Sequence, residues 1–195
     1  MIILAAGLST RFGSNKLLYC LNGKPLYQYT FEKLINIKKK RKDVKSIIIV
    51  TRYREIAAEA SRREIPYVIN DHSEEGIASS LKLGLELSAA QKSGNCDDEI
   101  SYAFFVADQP NLRAETIEGL FDAFAESGKG IACVKAGEKP GNPVVFSERY
   151  KEELLSLKGD TGGKQLFRRY PDDVLYYSAD PLETSDIDTP GDFKV

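Results

Sequence analysis

Histidine is almost missing from this sequence: His72 is the only one among 195 residues. A lone histidine in the polar stretch 70–75 offers neither a Ser-His-Asp arrangement nor His-rich metal spacing. Hydrolase and zinc chemistry are therefore set aside, and His72 reads as a surface residue. Cysteine is scarce as well. Cys20, Cys96 and Cys133 are odd in number and far apart, without the paired framework of a small secreted domain or a CxxC zinc spacing, which fits a reducing cytoplasm. No apolar run approaches the ~20 residues that span a bilayer. Met1-Ile2-Ile3-Leu4 is too short for a signal sequence and reads as a first strand, so no membrane partner is expected. Neither sign of charge dominates: 27 basic and 29 acidic side chains leave a formal charge of -2. No global field favours nucleic acid, and an anionic ligand has to be held locally. The run Lys38-Lys39-Lys40-Arg41-Lys42 closes an expected helix, where cations complement the dipole, and reads as a solvated helix end.

What is present is ordinary globular material, 42% hydrophobic and 29% charged, in a length that suits one domain over residues 1–195. Strand-like runs fall at 2–5, 46–51, 67–69, 102–107, 130–135, 143–146 and 174–178, most of them almost continuously apolar, as strands covered on both faces are. Helix-like segments lie between them at 25–38, 54–63, 77–90, 113–126, 148–157 and 163–169. The alternation predicts an α/β fold, a Rossmann-like three-layer α/β/α domain around a mostly parallel sheet. Pro25 suits the first turn of its helix, residues 91–99 read as a surface loop, and Thr189-Pro190 looks like a helix start with little chain left to follow it.

The stretch Leu4-Ala5-Ala6-Gly7-Leu8-Ser9-Thr10-Arg11-Phe12-Gly13-Ser14-Asn15-Lys16 is the most informative. Small residues at 5–7 let backbone N–H groups approach a ligand, and Arg11 and Lys16 bring positive charge beside them, which suits a triphosphate. It is not a Walker loop, since Gly7 and Gly13 enclose five residues and Lys16 is followed by Leu17, and no G-x-G-x-x-G is present. Asp108 ends the apolar run 102–107, which puts a carboxylate at the carboxyl edge of a central strand, a natural metal ligand. The rival reading is a turn cap ahead of Pro110. Ser79 and Ser80 open a helix after Gly76, where N–H groups suit a base edge or phosphate, although serines there are most often simple caps. Asn70 and Asp71, just after a strand, are placed to face a nucleoside.

The pattern L-A-A-G-x-S-x-R-x-G-x-x-K resembles the signature loop of nucleotidyltransferases that include the sugar-phosphate and isoprenoid cytidylyltransferases and the molybdenum-cofactor transferases. Gly76-Ile77-Ala78-Ser79-Ser80-Leu81, Asp108-Gln109-Pro110, Gly141-Asn142-Pro143-Val144-Val145-Phe146, Gly159-Asp160-Thr161-Gly162-Gly163-Lys164 and Asp186-Ile187-Asp188-Thr189-Pro190 follow in the order of the molybdenum cofactor cytidylyltransferases. The likeness spans residues 4–192. Two positions depart from that subgroup: Asn142 stands where it usually has His and Lys164 where it usually has Arg, and a Lys point charge does not reproduce a bidentate fork on an acceptor phosphate.

The resemblance implies a glycosyltransferase-A-like nucleotidyltransferase fold and transfer of CMP from CTP to the phosphate of molybdopterin, with release of pyrophosphate. GTP is the second donor. A sugar phosphate, cobinamide phosphate or methylerythritol phosphate is an alternative acceptor, and a cofactor-binding chaperone without turnover, handing pterin to an apo-molybdoenzyme, is the reading from another class. The resemblance also makes Asp188 the second metal ligand beside Asp108, with Asp186 the weaker choice, and puts Ser80 near the base. Mg²⁺ is the expected ion and Mn²⁺ its alternative. Arg11, Lys16 and Asp108 are then the catalytic set, and Leu4, Ala5, Ala6, Gly7, Arg11, Lys16, Asn70, Ser79 and Ser80 the nucleotide-binding set.

Overall fold

Strand β1, Ile2–Ala5, lies near the middle of a seven-stranded sheet in which it pairs in parallel with β4, Ile48–Thr51, on one side and with β6, Ser101–Val106, on the other. The computed structural model describes residues 1–10, 12–91 and 99–193. Beyond β4 lies β5, Tyr67–Ile69. Beyond β6 come β8, Lys139–Ser147, then β7, Ile131–Ala136, and β9, Val174–Ser178, giving the order β5-β4-β1-β6-β8-β7-β9. The sheet is mostly parallel, as the apolar runs imply; β8 alone runs against both its neighbours, β6 and β7.

Odd positions of β1 face one layer and even positions the other, the period-2 alternation of a strand. Ile3 and Ala5 pack with α1, Leu26–Lys40, with α2, Arg54–Arg62, and with α4, Ala114–Ser127. Ile2 packs with α3, Ile77–Ala90, and its layer continues to α5, Lys151–Ser156, and α6, Lys164–Arg169. Two buried cores, one on each side of the sheet, make the three layers.

Several boundaries differ from the sequence expectation, each for a local reason. Pro25 is not the first helical residue: its extended backbone (ψ 138°) places it in β3, Lys24–Pro25, which pairs with β2, Cys20–Leu21. Asn22 and Gly23, with φ of 50° and 79°, close this small hairpin, a two-residue Asn-Gly turn. Strand β8 begins four residues earlier than 143 because residues 139–140 pair back onto the end of β7. The segment 148–157 divides into a 3-10 turn, Glu148–Tyr150, and α5. The start expected at Thr189 is a single 3-10 turn, Pro190–Phe193. The basic end of α1 is solvated at Lys38, Lys39 and Lys40. Residues 92–98 of the expected surface loop, Cys96 among them, lie outside the described residues. Among the described residues, no helix is long and apolar enough to cross a membrane.

Candidate active site

Because β1 sits where the chain order of the sheet reverses, the loops leaving β1, β4, β5 and β6 gather at one carboxyl edge, the place where open α/β sheets hold ligands. Register aligns their ends: Ala5 is level with Thr51, and Thr51 with Ile69.

The first loop is fastened from below. The Leu4 carbonyl accepts from the Ala107 N–H at 3.2 Å, the Thr51 hydroxyl donates to the Ala5 carbonyl at 3.0 Å, and the Tyr53 hydroxyl donates to the Gly7 carbonyl. Ala5 and Ala6 are buried, Gly7 is exposed, and a Cβ built on Gly7 meets nothing within 4 Å. The packing of the protein itself does not demand glycine there, and the bare backbone leaves room for a ligand to approach closely. Arg11 lies outside the described residues.

After the loop, Asn15 caps a 3-10 turn, Lys16–Leu18, its side chain accepting from the Leu17 N–H. The Lys16 ammonium thereby turns inward and reaches Asp108 Oδ2 at 2.6 Å and Asp188 Oδ1 at 2.9 Å. Burial pulls this ammonium down, but the Asp108 and Asp188 carboxylates outweigh it and hold it above its ordinary value. Asp188, rather than Asp186, shares the lysine with Asp108. Asp186 instead accepts from Gln109 Nε2 at 2.8 Å, and loss of solvent together with the facing Asp108 carboxylate pushes it up. Asp108 is anchored through its own carbonyl, which accepts from the Ile187 N–H at 3.1 Å, while its Oδ1 is buried with no hydrogen-bond partner. Asp192 fixes the other side by accepting from the Asp188 and Thr189 N–H groups. Two carboxylates around one cation, with an orphaned buried oxygen, suit a hard divalent ion whose remaining ligands are phosphate oxygens and water. Among the described residues, no group of three or more His, Cys, Asp or Glu offers a fuller metal cage.

Asn70 is buried rather than open to a nucleoside. Its amide donates to Ser79 Oγ at 2.9 Å and Ser80 Oγ at 2.8 Å, and its oxygen accepts from the His72 N–H. Nor is the start of α3 a free row of donors: the Ala78 N–H is taken by the Gly159 carbonyl and the Ser79 N–H by Gly76. The Ser79 hydroxyl accepts from Asn70 and donates to the Gly76 carbonyl, and Ser80 is buried on the same amide, so Asn70 fixes the helix start. Gly76, with φ of 94°, packs so closely on Gly159 and Asp160 that the Gly159 block forms the wall beside this helix start. His72 is exposed, as expected.

Sequence reasoning passed over several residues. Thr51 ends β4 at the same edge and Tyr53 follows it just before α2, and the rule that singled out Asp108 would have found them. Gln109 is buried, linking the Asp108 turn to the Thr184 carbonyl and to Asp186. Lys33, from the middle of α1, donates to the Pro110 carbonyl at 3.2 Å and to that of Leu112, and burial lowers its pKa to about 8. Glu183 is buried and accepts from the Arg113 N–H and guanidinium, contacts that outweigh the cost of burial and bring its pKa down to about 2. No sequence pattern marks these two.

Residues 1–174 match the MobA-like NTP transferase domain. The chain belongs to that family. A Thermococcus sibiricus protein named as a probable molybdenum cofactor guanylyltransferase is 50% identical over 164 residues, covering 80% of this chain and 70% of the relative. A nucleotidyl transferase from Methanothermobacter superposes with a TM-score of 0.74 at 21% identity, covering 98% of this chain and 92% of the other. A Mycobacterium tuberculosis protein described as a complex with manganese gives 0.73 at 19%, covering 99% and 94%. These structural likenesses show the nucleotidyltransferase fold. The MobA-like chain is a nucleotidyltransferase, and its Lys16, Asp108 and Asp188 meet where that family's fold gathers its loops.

Proposed function

We propose that this nucleotidyltransferase moves a nucleoside monophosphate from an NTP to the phosphate of molybdopterin, releasing pyrophosphate. The observation that carries the reading is the meeting of Lys16 with Asp108 and Asp188 beside the β1 loop. The 50% identical relative is named for guanylyl transfer, which weighs the donor towards GTP; CTP, implied by the motif resemblance, is the alternative.

An acceptor phosphate oxygen forms a bond to the α-phosphorus in line as the bond to the β-phosphate oxygen breaks. The acceptor is already anionic at neutral pH, so no side chain has to take a proton. Ala5, Ala6 and Gly7 form the floor under base and ribose, and Asn70 fixes Ser79 and the buried Ser80 at the start of α3. Lys16, with Arg11 assigned from sequence, neutralises charge building up on the leaving pyrophosphate. Asp108 and Asp188 would hold Mg²⁺ or Mn²⁺, which supplies charge neutralisation on the phosphate oxygens when bound.

The test is pyrophosphate release with GTP, CTP, ATP and UTP in turn, with Mg²⁺ or Mn²⁺, with and without molybdopterin. Release that needs molybdopterin and one NTP supports the reading and names the donor. Silence with molybdopterin under every NTP moves the acceptor to a sugar phosphate or another phosphorylated alcohol, and tight pterin binding without release favours a non-catalytic carrier.

A further inference from the structure

The two aspartates come from parts of the chain far apart. Asp108 begins the turn after β6, whereas Asp188 ends a strap, residues 179–188, that follows β9 and lies beyond the 1–174 family match. Their spacing is therefore set by whatever joins turn to strap. On the strap side the joint is polar, with Glu183 and Gln109 buried and the Arg113 side chain exposed, and it includes the Ile187 N–H on the Asp108 carbonyl at 3.1 Å. Glu183 takes the Arg113 N–H at 3.0 Å and its guanidinium at 2.6 Å, and Gln109 Nε2 donates to the Thr184 carbonyl at 3.0 Å. The Lys33 ammonium holds the Pro110 and Leu112 carbonyls of the same turn and feels the Glu183 carboxylate, so an ammonium and a carboxylate together fasten the turn.

We infer that Glu183, together with Lys33, is a positioning residue that fixes the Asp108 turn against the strap and so helps to set the spacing of the Asp108 and Asp188 carboxylates. Burying a carboxylate is costly unless it is paired, and this one is spent on the Arg113 N–H and guanidinium just after the turn, on the Thr116 hydroxyl of α4 and on its own strap. Partners standing behind metal ligands typically change metal affinity by about 10–100-fold when removed. Glu183 touches no substrate; it acts through the placement of others.

The inference rests on reading Asp108 and Asp188 as metal ligands, so the experiment separates the two. Mn²⁺ binding is measured by the paramagnetic resonance signal of free Mn²⁺, alongside thermal unfolding, for the wild type and for Glu183→Ala, Glu183→Gln and Asp108→Asn. Glu183→Ala is expected to fold and to bind Mn²⁺ about tenfold more weakly, and Glu183→Gln, which keeps an acceptor for the Arg113 N–H, to recover most of the loss. A folded Glu183→Ala with a lowered melting temperature and unchanged Mn²⁺ binding overturns the inference and leaves Glu183 purely structural. If Asp108→Asn itself binds Mn²⁺ like the wild type, the metal reading falls first and takes the inference with it. Should Glu183→Ala not fold, Lys33→Met carries the same test on the same turn, and wild-type Mn²⁺ binding in that folded variant overturns the inference.

Discussion

The Asn70 network on the proposed nucleotide side of the edge and the carboxylate side are assembled over different stretches of chain. Asn70 reaches hydroxyls nine and ten positions away, on Ser79 and Ser80. Across the sheet, Lys33 reaches 77 positions to Pro110, Gln109 reaches 77 to Asp186, Arg113 reaches 70 to Glu183, and Lys16 reaches 172 to Asp188. The Asn70 network is complete once one strand, turn and helix have formed, although the β1 loop still needs Thr51 and Tyr53 from 46 positions away. A long-range site exists only when the whole sheet has closed, and its chemistry depends on joints that belong to no motif. Lys16 is where the two halves meet, and its loss should have the largest effect. Lys16→Ala is expected to lower turnover by about a hundredfold or more, on the scale of removing one transition-state donor, as measured by pyrophosphate release. Unchanged turnover would mean that the β1 loop works without its carboxylate partners and would dissolve the division.

A pair of glycines sharpens the comparison through stability. At Gly76 a Cβ would come within 2.3 Å of the Gly159 carbonyl carbon, at a φ of 94° that side chains rarely adopt. Gly76→Ala should cost about 2–4 kcal/mol, read from denaturant unfolding, because backbone is the obstacle and cannot swing aside. Gly7→Ala meets no such obstacle. It should leave unfolding as in the wild type while raising KM for the NTP, and an equal loss of stability in both variants would show that Gly7 serves the fold rather than a ligand.

On the carboxylate side, acid offers a test through Glu183. Its pKa is lowered from 4.5 to about 2, so the folded protein gains stability from it above 4.5 and loses that gain as the pH falls towards 2. Glu183→Gln should therefore be less stable than the wild type by about 2 kcal/mol at neutral pH, the scale of hydrogen bonds to a charged group. The gap should narrow as the pH falls below 4.5. A constant gap across that range would mean that the charge contributes nothing to the joint.

These ranges also explain what could be read in the sequence. The strands of the parallel half were legible because a doubly covered strand is a plain apolar run, and Asp108 because it follows one directly. Strand β8 was legible only from residue 143, since Lys139 and Pro140 are strand by virtue of pairing with β7 and not by their own preference, with a register shift between that pairing and the one at Val144. The hairpin Cys20–Leu21 with Lys24–Pro25 was passed over although Asn22-Gly23 marks it locally. Asn70 was placed in the site by its position after β5, but its role changed, because only packing reveals that its amide is consumed by two serines. Asn70→Ala tests this: KM for the NTP should rise about tenfold, equivalent to about 1.4 kcal/mol, with a smaller change in kcat. Unaltered KM would leave Ser79 and Ser80 as mere helix-start serines.

The smallest effect is expected a few residues away, at the only histidine. His72 takes part in the nucleotide-side network through its backbone: its N–H donates to Asn70 Oδ1 at 3.0 Å and its carbonyl accepts from the Ser79 hydroxyl at 3.2 Å. The imidazole itself is 73% exposed and lies 3.8 Å from the carboxylates of Glu74 and Glu75, a distance and exposure at which ion pairs contribute little. His72→Ala keeps every backbone contact, so stability should move by no more than about 0.5 kcal/mol and turnover should be unchanged. A sharp fall in turnover would place a titrating base at the site, and a mechanism built on position and charge alone would have to give way to one that moves a proton.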